Sequence, residues 1–541
     1  CQPAFQALKA HIRQYPPEAV EPITDVPAST IRRLAQEFGE AASIGSTITI
    51  EGRVMPFRPV TAFPDSRGLA CHMYGVWTGT AVQLLNVMVG AVDVPGGNLS
   101  TNVVGPHGNF RVGMGPEGLV TSASELGNRR PYPARTPAVP QTVELGELFP
   151  VGRTPRPLLA LGLLDYAHLL PYKPEVVLHC SSNALVVAAN PRLLARALSQ
   201  LPFMVSLAHT VDETVELADI VLPVQHPLER FDFPVNGLRG WVTGDHWYFT
   251  LRQPAVDAEP NVKHLADVIL DLGERLRVGD KVNAGLNTRL RLKDPHRLEE
   301  EKRYRWEEIL DLSAKSTFGV DHDLAWLKKN GFVAWRRGLG ERYPRGVLRL
   351  PRLPIYFEHF LKTRPRVEAL IKEAGLDWDL SGYQAMPFWK SCPASSQRER
   401  GYDLLAVNFK FGFHSFSTTQ RNPWLDELTT HHPWGYDLIM NAETARHKGI
   451  CDGDTVLVES CEGEKVTGRV KLTQGIHPEV VGVGACFGRW SRGQPAARGK
   501  GVHFNTLLPH NMGWIDALSG HIDACAPVLV RKAQAGLSPC P

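Results

Sequence analysis

The chain has nine cysteines, at 1, 71, 180, 392, 451, 461, 486, 525 and 540, and no two of them stand at CxxC spacing. That scatter argues against a zinc or iron–sulfur cradle built from this chain. There is no apolar run near the roughly 18 residues that a membrane helix needs. There is also no excess of one charge: the net charge of +3 comes from well-mixed signs, which leaves no nucleic-acid footprint, and nucleic acid is not expected as a partner. A GxGxxG fingerprint is missing from the stretch Glu175 to Arg230. A leader is missing too: the first residue is Cys1, and nothing before Pro27 has the charged and apolar regions of a signal peptide, so the start is expected to be a cut or processed end. What remains is ordinary globular composition, 43% hydrophobic and 21% charged over 541 residues, enough for several domains with cores of their own.

The informative stretch is Glu175 to Arg230. Glu175 to His179 is a short apolar and β-branched run that stops at Cys180-Ser181-Ser182-Asn183, the pattern of a buried parallel strand emptying into a small polar loop. Asn190-Pro191 then opens a helix, with Leu193, Leu194, Ala197 and Leu198 at helical spacing and Pro where its missing N–H costs nothing. A second strand is predicted from Phe203 to Leu207. The return from strand through helix to strand suits a right-handed βαβ unit, with its polar residues at the carboxyl ends of the strands, where open α/β sheets bind ligands. A nucleotide would fit there. A structural layer with Ser/Asn turn chemistry accounts for the same residues.

The wording of the passage adds to its pattern. The Ser/Asn loop, Asn190-Pro191, the second strand and the run from Asp212 to Arg230 (DETVELADIVLPVQHPLER) resemble the molybdopterin oxidoreductases of the dimethyl sulfoxide reductase family, whose members carry a comparable "ETA-x-x-ADIVLP…E" passage. Three further pieces follow the family's order. Gly68 to Gly97, with His72, Gly75, Leu85-Asn86 and Gly96-Gly97, resembles its "H-x-x-G…LN…GG" segment. Asn441 to Asp454 resembles "NP-x-x-A…G-I-x-D-G-D", with Ala442 in place of the usual Pro. Asn505-Thr506-Leu507 and Asp516 to Gly520 resemble "N-x-L…D-x-x-S-G". The resemblance covers nearly the whole chain with gaps, and is nearest to the branch of thiosulfate, polysulfide, tetrathionate and arsenate reductases.

It implies Rossmann-like α/β layers followed by a six-stranded-type β-barrel: the end of an α/β cofactor-binding domain at 1–100, an irregular connection at 101–157, a central dinucleotide-binding layer at 158–279, a variable helical region at 280–400 and the barrel at 401–541. The implied cofactor is bis(molybdopterin guanine dinucleotide) with molybdenum or tungsten. Ser181, Ser182 and Asn183 would meet a diphosphate, and His209, Asp212 and Thr214 would lie where ribose or base sits; the family often has an acid near that point, where this chain has His209. His414, Ser417, Thr418 and Thr419 would donate to a pterin, Asn505 would bind the pterin or guanine part, and Asp516 would steady that loop. His72, Tyr74 and Arg489 are the candidates for substrate-side groups. The family's [4Fe-4S] cysteines and metal ligand precede the region where this chain starts, so both are expected only in a missing amino-terminal part, and no metal ligand is assigned here; Cys1 stands too close to the helix from Ile31 to fit the family's order. The implied partners are a small-molecule substrate, a membrane anchor subunit, and, as electron carrier, a ferredoxin-like iron–sulfur subunit. The implied location is the periplasm or the membrane through those partners, with the cytoplasm left open.

For each of these residues a hydrogen-bonded structural role is the alternative. Two other function classes compete: a hydratase or transhydroxylase using the same cofactor without net redox chemistry, and a scaffold subunit that has lost the cofactor. Local expectations complete the reading. Ile31, Leu34, Ala35 and Phe38 form a helix face capped by Ser29 or Thr30, and Thr47 to Glu51 a strand. A long helix in 68–89 buries Ala81, Leu84, Leu85 and Met88. Gly105 to Asn109 is a connecting loop, Arg129 to Pro157 a surface excursion, and Glu229 with Arg230 an ion pair. Asp280 to Gln384 is a solvated region with helical pieces. Barrel strands are predicted at Asp403–Val407, Thr455–Ser460, Lys465–Leu472, Val480–Val483 and Val528–Lys532, and Asp452-Gly453-Asp454 is turn chemistry.

Overall fold

A computed structural model describes residues 2–64, 68–69, 71–99, 110–114, 120–124, 137–152, 157–233, 241–243, 245–343 and 354–533. They fall into two compact units, one of residues 1–64, 80–135 and 223–359, the other of 65–79, 136–222 and 360–541. The loop expected from Gly105 to Asn109 lies outside the described residues, as do residues 129–136 and 153–156 of the expected surface excursion.

In the first unit the helix Ala28–Ala41 starts after Pro27 with no side-chain cap. Ser29 and Thr30 are therefore not the N-cap: the helix begins earlier, and the carboxylate of Glu21 accepts the Ala28 N–H at 3.0 Å instead. Its apolar face is not packed either, with Leu34 52% exposed. Among the described residues the neighbouring helix Pro17–Thr24 contributes no buried residue for that face to pack on. Thr47–Ile50 pairs with Arg53–Pro56 as an antiparallel hairpin. Along Gly75–Met88 only Leu84 of the four expected residues is buried. The anchor is Asn86, whose amide donates to the Ala62 carbonyl at 2.6 Å and accepts its N–H at 2.8 Å. That two-way clamp fixes the rotation of the helix and leaves Leu85 and Met88 outside. Beyond it, the antiparallel strands Trp241–Thr243, His246–Thr250 and Phe332–Arg336 pack through Phe249 and Val333 on Leu310, Ala314 and Leu327 of the helices Trp306–Phe318 and Leu324–Asn330. Glu229 and Arg230 do not pair with each other: Glu229 accepts the His226 N–H at 2.6 Å, while Arg230 turns to Asp232 at 3.5 Å and to the Gln225 carbonyl. A side chain two residues away along an extended segment is the easier partner for Arg230 than its immediate neighbour.

The second unit carries the predicted α/β layer and barrel. Val176–Cys180 and Phe203–Ala208 are parallel, with Cys180 opposite Leu207, and Ile220–Pro223 completes a three-stranded sheet. Between the first two runs the helix Pro191–Leu198, capped by Asn190, whose side chain accepts the Leu193 N–H at 3.1 Å. Leu194, Ala197 and Leu198 bury one face of the helix against Ala160 and Leu185. The first strand is not the buried strand expected. It is a sheet edge, and Val176 and Leu178 are 61% and 41% exposed.

The barrel closes in the order Leu404–Phe409, Val480–Gly484, Leu438–Asn441, Lys465–Thr473, Thr455–Ser460 and Cys525–Lys532. Alternation fills it: Val456 and Val458 point inward with Leu404, Ala406, Met440, Val470, Val481, Val528 and Val530. The expected strands are all present, and the sixth, Leu438–Asn441, is the one the sequence hid. It is four residues long and buried throughout, so it shows neither length nor alternation. In the turn at Asp452–Asp454 the carboxylates serve backbone N–H groups, Asp454 accepting from Cys451 and Asp452 from Leu472.

Two glycines test how tightly the barrel's last loops are packed. Gly488 has φ +68°, and a Cβ there would lie 2.2 Å from the His503 nitrogen, whereas Gly499, φ +72°, has open space around it. Gly499→Ala is expected to lose only the left-handed backbone cost of about 1–2 kcal/mol, and Gly488→Ala roughly 1–3 kcal/mol more from overpacking, read by urea unfolding. Equal losses at the two positions would contradict the packing described.

Candidate functional site

The loops after the first two sheet strands meet two loops of the barrel region at a buried carboxylate. Glu213 is 1% exposed. Arg489 Nε and Nη2 donate to its two oxygens at 2.9 and 2.8 Å, the N–H groups of Trp490 and Ser491 donate at 3.0 and 3.2 Å, and the Asn183 amide donates at 2.7 Å. Burial alone would push the Glu213 carboxyl up; the Arg489 guanidinium and the Asn183 amide outweigh it and hold the group at about 2. The remaining donors of Arg489 reach the Ser417 carbonyl at 3.0 Å and Gln494 Oε1 at 2.7 Å. Thr214 donates to Asn183 Oδ1 at 3.0 Å and accepts the Leu185 N–H at 3.0 Å.

This network corrects several expected roles. Arg489 is not a substrate-side group: its side chain is 1% exposed and its donors are taken up by Glu213, Ser417 and Gln494. Asn183 bonds Glu213 and Thr214, and Thr214 bonds Asn183 and the Leu185 N–H, so their polar atoms serve the protein rather than a diphosphate or a ribose. His414 sits between two threonines, Nδ1 3.0 Å from Thr419 Oγ1 and Nε2 2.7 Å from Thr429 Oγ1. Burial pushes its ring pKa down, so it is neutral and internally bonded. Asn505 donates to the Val186 carbonyl at 2.8 Å, and Asp516 accepts the Ser519 N–H and hydroxyl at 2.9 and 2.6 Å, with its own pKa pushed up by burial.

Around the network lie groups that face outward. Ser181 and Ser182 are exposed at the end of the first strand, Ser181 with φ 46°. His209 and Asp212 follow the second strand, partly buried; Asp212 caps the next turn by accepting the Thr214 and Val215 N–H groups, each at 3.0 Å. Burial chiefly pushes its carboxyl up. In the barrel-side loop Thr418 is exposed, its hydroxyl donating to the Ser415 carbonyl at 2.7 Å, and Ser417 and Thr419 are partly buried. Arg421 donates to the Thr210 hydroxyl, bringing this loop onto the end of the second strand. Burial and then the neighbouring Arg489 push its guanidinium pKa down, against the pull of Asp212. Gln420, 2% exposed, donates to the Phe416 carbonyl at 2.7 Å, but its Oε1 has no partner among the described residues. Small hydroxyls at a strand end and a guanidinium suit a polar, phosphate-bearing ligand. Arg421 was missed in the sequence. It is the lone Arg or Lys in the run Phe413 to Pro423, and that was the available signal.

His72 and Tyr74 belong to other groups of the same unit. Tyr74, 7% exposed with φ 60°, donates to Asp379 at 2.7 Å, where Lys390 also donates at 2.7 Å. Burial would raise the Asp379 carboxyl, but the Lys390 ammonium and the Ser381 N–H hold it well below the usual carboxylate range. His72 Nδ1 lies 2.7 Å from Asp523 Oδ1.

Comparison with known proteins bears on the family and the fold. Residues 406–516 match the family model of the molydopterin dinucleotide binding domain. The chain is 25% identical over 627 aligned residues to a sulfite dehydrogenase subunit of Allochromatium vinosum, covering 98% of this chain and 61% of that protein. It is 27% identical over 328 residues to the molybdopterin-containing subunit of thiosulfate reductase of Salmonella typhimurium, covering 59% of this chain and 38% of that protein. The chain thus spans less than two thirds of the length of either relative. Among solved structures, acetylene hydratase from Pelobacter acetylenicus shares the fold with TM-score 0.60 and 16% identity, covering 98% of this chain and 66% of that one.

The buried pair makes two expectations measurable by chemical denaturation. Arg489→Met leaves Glu213 buried without its cation and is expected to cost about 3–5 kcal/mol, with part recovered in the double variant Arg489→Met, Glu213→Leu; a loss below about 1 kcal/mol would show that the pair does not hold these loops. The Glu213 pKa is depressed on folding, from 4.5 to about 2, so its stabilisation is complete above pH 4.5 and is lost as the pH falls towards 2. The loss is on the order of 3 kcal/mol, and Glu213→Gln is expected to flatten that part of the acid-unfolding profile.

Proposed function

Given that this chain belongs to the molybdopterin oxidoreductases of the dimethyl sulfoxide reductase family, we propose that it is the cofactor-holding part of a catalytic subunit whose substrate is an inorganic sulfur compound or related oxyanion, converted by two-electron chemistry in the reductive direction. The observation that carries the substrate class is that both curated relatives are named for sulfur oxyanions, one of them aligning along 98% of the chain, and the reductive direction rests on the thiosulfate reductase. The bound group is taken to be bis(molybdopterin guanine dinucleotide) with molybdenum or tungsten, which supplies a metal that accepts and returns electron pairs.

The protein's part is to hold and orient. Ser181 and Ser182 offer hydroxyls where a diphosphate meets the end of a parallel strand, and Arg421 offers the charge to balance it. His209 and Asp212 stand where a ribose or base follows. On the substrate side Tyr74 stands in its network with Asp379 and Lys390. His72 does not enter this reading, because its Nδ1 is committed to Asp523. A ferredoxin-like iron–sulfur subunit would carry the electrons, with a membrane anchor subunit beyond it. Among the described residues no helix is long and apolar enough to cross a membrane.

The test is metal and nucleotide analysis of the full-length protein. One molybdenum or tungsten per chain with two GMP released on hydrolysis is the expected result, together with oxidation of a reduced viologen dye by thiosulfate, tetrathionate or polysulfide. Metal and GMP without any electron uptake would favour a hydratase-type reaction, and neither metal nor GMP in a folded preparation would leave a scaffold. Arg421→Ala is expected to lower retained GMP roughly 10–100-fold, the loss of one charge-assisted contact, without lowering the unfolding midpoint by more than a few degrees.

A further inference from the structure

His72 lies against the start of the last barrel strand, where Asp523 and Cys525 flank Ala524. The Ala524 N–H donates to the Cys71 carbonyl at 2.8 Å, which fixes the two backbone segments side by side and sets His72 opposite the other two side chains. His72 Nδ1 is 2.7 Å from Asp523 Oδ1, Cys525 Sγ is 3.4 Å from the same oxygen, and the three donor atoms all lie within 4.8 Å of one another. Asp523 and Cys525 are 1% and 8% exposed, while the His72 side chain keeps 36% open to solvent. We infer that His72, Asp523 and Cys525 form a binding site for one zinc-like divalent cation.

The donor set and the spacing carry the inference. Zinc bonds of about 2.0–2.3 Å to nitrogen, oxygen and sulfur hold tetrahedral ligand atoms roughly 3–4 Å apart; Asp523 and Cys525 stand at 3.4 Å, and His72, hydrogen-bonded to Asp523 at 2.7 Å, has to draw back by under an ångström to admit the ion. A carboxylate sealed from water needs positive charge beside it. Two protons supply part of that need in the metal-free protein, one on His72 Nδ1 and one on Cys525 Sγ, both directed at Asp523. A cation takes the place of both: the ring proton and the thiol proton leave to water, each lone pair goes to the metal, and no electron is transferred. The His72 ring also hydrogen-bonds the Gly68 backbone, the kind of outer contact that orients a ligating imidazole. A thiolate with an imidazole and a single carboxylate selects zinc over magnesium or calcium, which need more oxygen ligands. The open side of His72 leaves the fourth position to water. The site would tie the segment ahead of the helix Gly75–Met88 to the strand Cys525–Lys532.

This inference is independent of the proposed reaction, and its test needs neither turnover nor the molybdenum cofactor. The full-length protein, treated with chelator, is titrated with Co²⁺ and the ion is then displaced with Zn²⁺. The expected result is one equivalent bound with a thiolate-to-cobalt charge-transfer band in the near ultraviolet. The band should be lost in Cys525→Ser, and Co²⁺ affinity should fall about 100-fold or more in Asp523→Asn. Where the Cys525 variant does not fold, His72→Ala, on the open side of the site, is expected to give the same weakening. No thiolate band in the native protein, or a band that survives all three substitutions, would overturn the site and leave a hydrogen-bonded triad only.

Discussion

The buried pair of Glu213 and Arg489 is the interaction on which the rest of the second unit depends. Each partner comes from a different layer: Glu213 follows the second strand of the parallel sheet, and Arg489 follows the barrel strand Val480–Gly484. Neither charge has water to fall back on, since both side chains are sealed, so the pair tolerates only the geometry in which every lone pair and N–H is matched. The matching extends outward through Asn183, Thr214, Gln494 and the Ser417 carbonyl. The register of four loops is thereby set by one ion pair. Glu216 adds a second clasp a turn later, accepting the Ser491 hydroxyl at 2.9 Å and the Arg492 N–H at 2.6 Å.

That arrangement divides the polar residues into two kinds. Those whose hydrogen-bonding capacity is spent inside the protein, Asn183, Thr214, His414, Asn505 and Asp516, define the shape of the cradle. Those that keep an outward face, Ser181, Ser182, Thr418 and Arg421, are what a ligand can meet. Both kinds occur in the same short loops and have the same residue types, which is why a pattern of hydroxyls and amides in sequence does not separate them. The distinction depends on which neighbour arrives from some 30 or 270 positions away, as Glu213 does for Asn183 and Arg489 does for Glu213.

The order of elements was legible because it rests on local signals. Asn190-Pro191 marks a helix start wherever it stands, and the alternation in Thr455–Ser460 marks a half-buried strand without reference to the rest of the chain. What was illegible depended on long-range partners. The burial of Val176 and Leu178 could not be read from their composition, because only the position of their strand at the sheet edge exposes them. Arg489 looked like a substrate-side cation until its distant carboxylate was visible. Leu438–Asn441 was hidden for the opposite reason, being buried on every side and too short to show a period.

The charge of the site follows from the same division. Arg489 contributes no net field because Glu213 cancels it at contact distance. His414 and His503 are neutral by burial, His503 at about 4, and Asp212 has its carboxyl pushed up by burial, weakening its hold on a proton-free state. The cation left at the strand end is therefore Arg421, held against Thr210 with Lys410 on the same loop, its ammonium 4.0 Å from the Phe416 ring centroid. A site in which structural charges cancel internally and one guanidinium remains partly solvated is biased toward an anion without being so positive that it repels its own loops. Among the described residues the neutral cradle supplies shape, and Arg421, with Lys410 on the same loop, supplies sign.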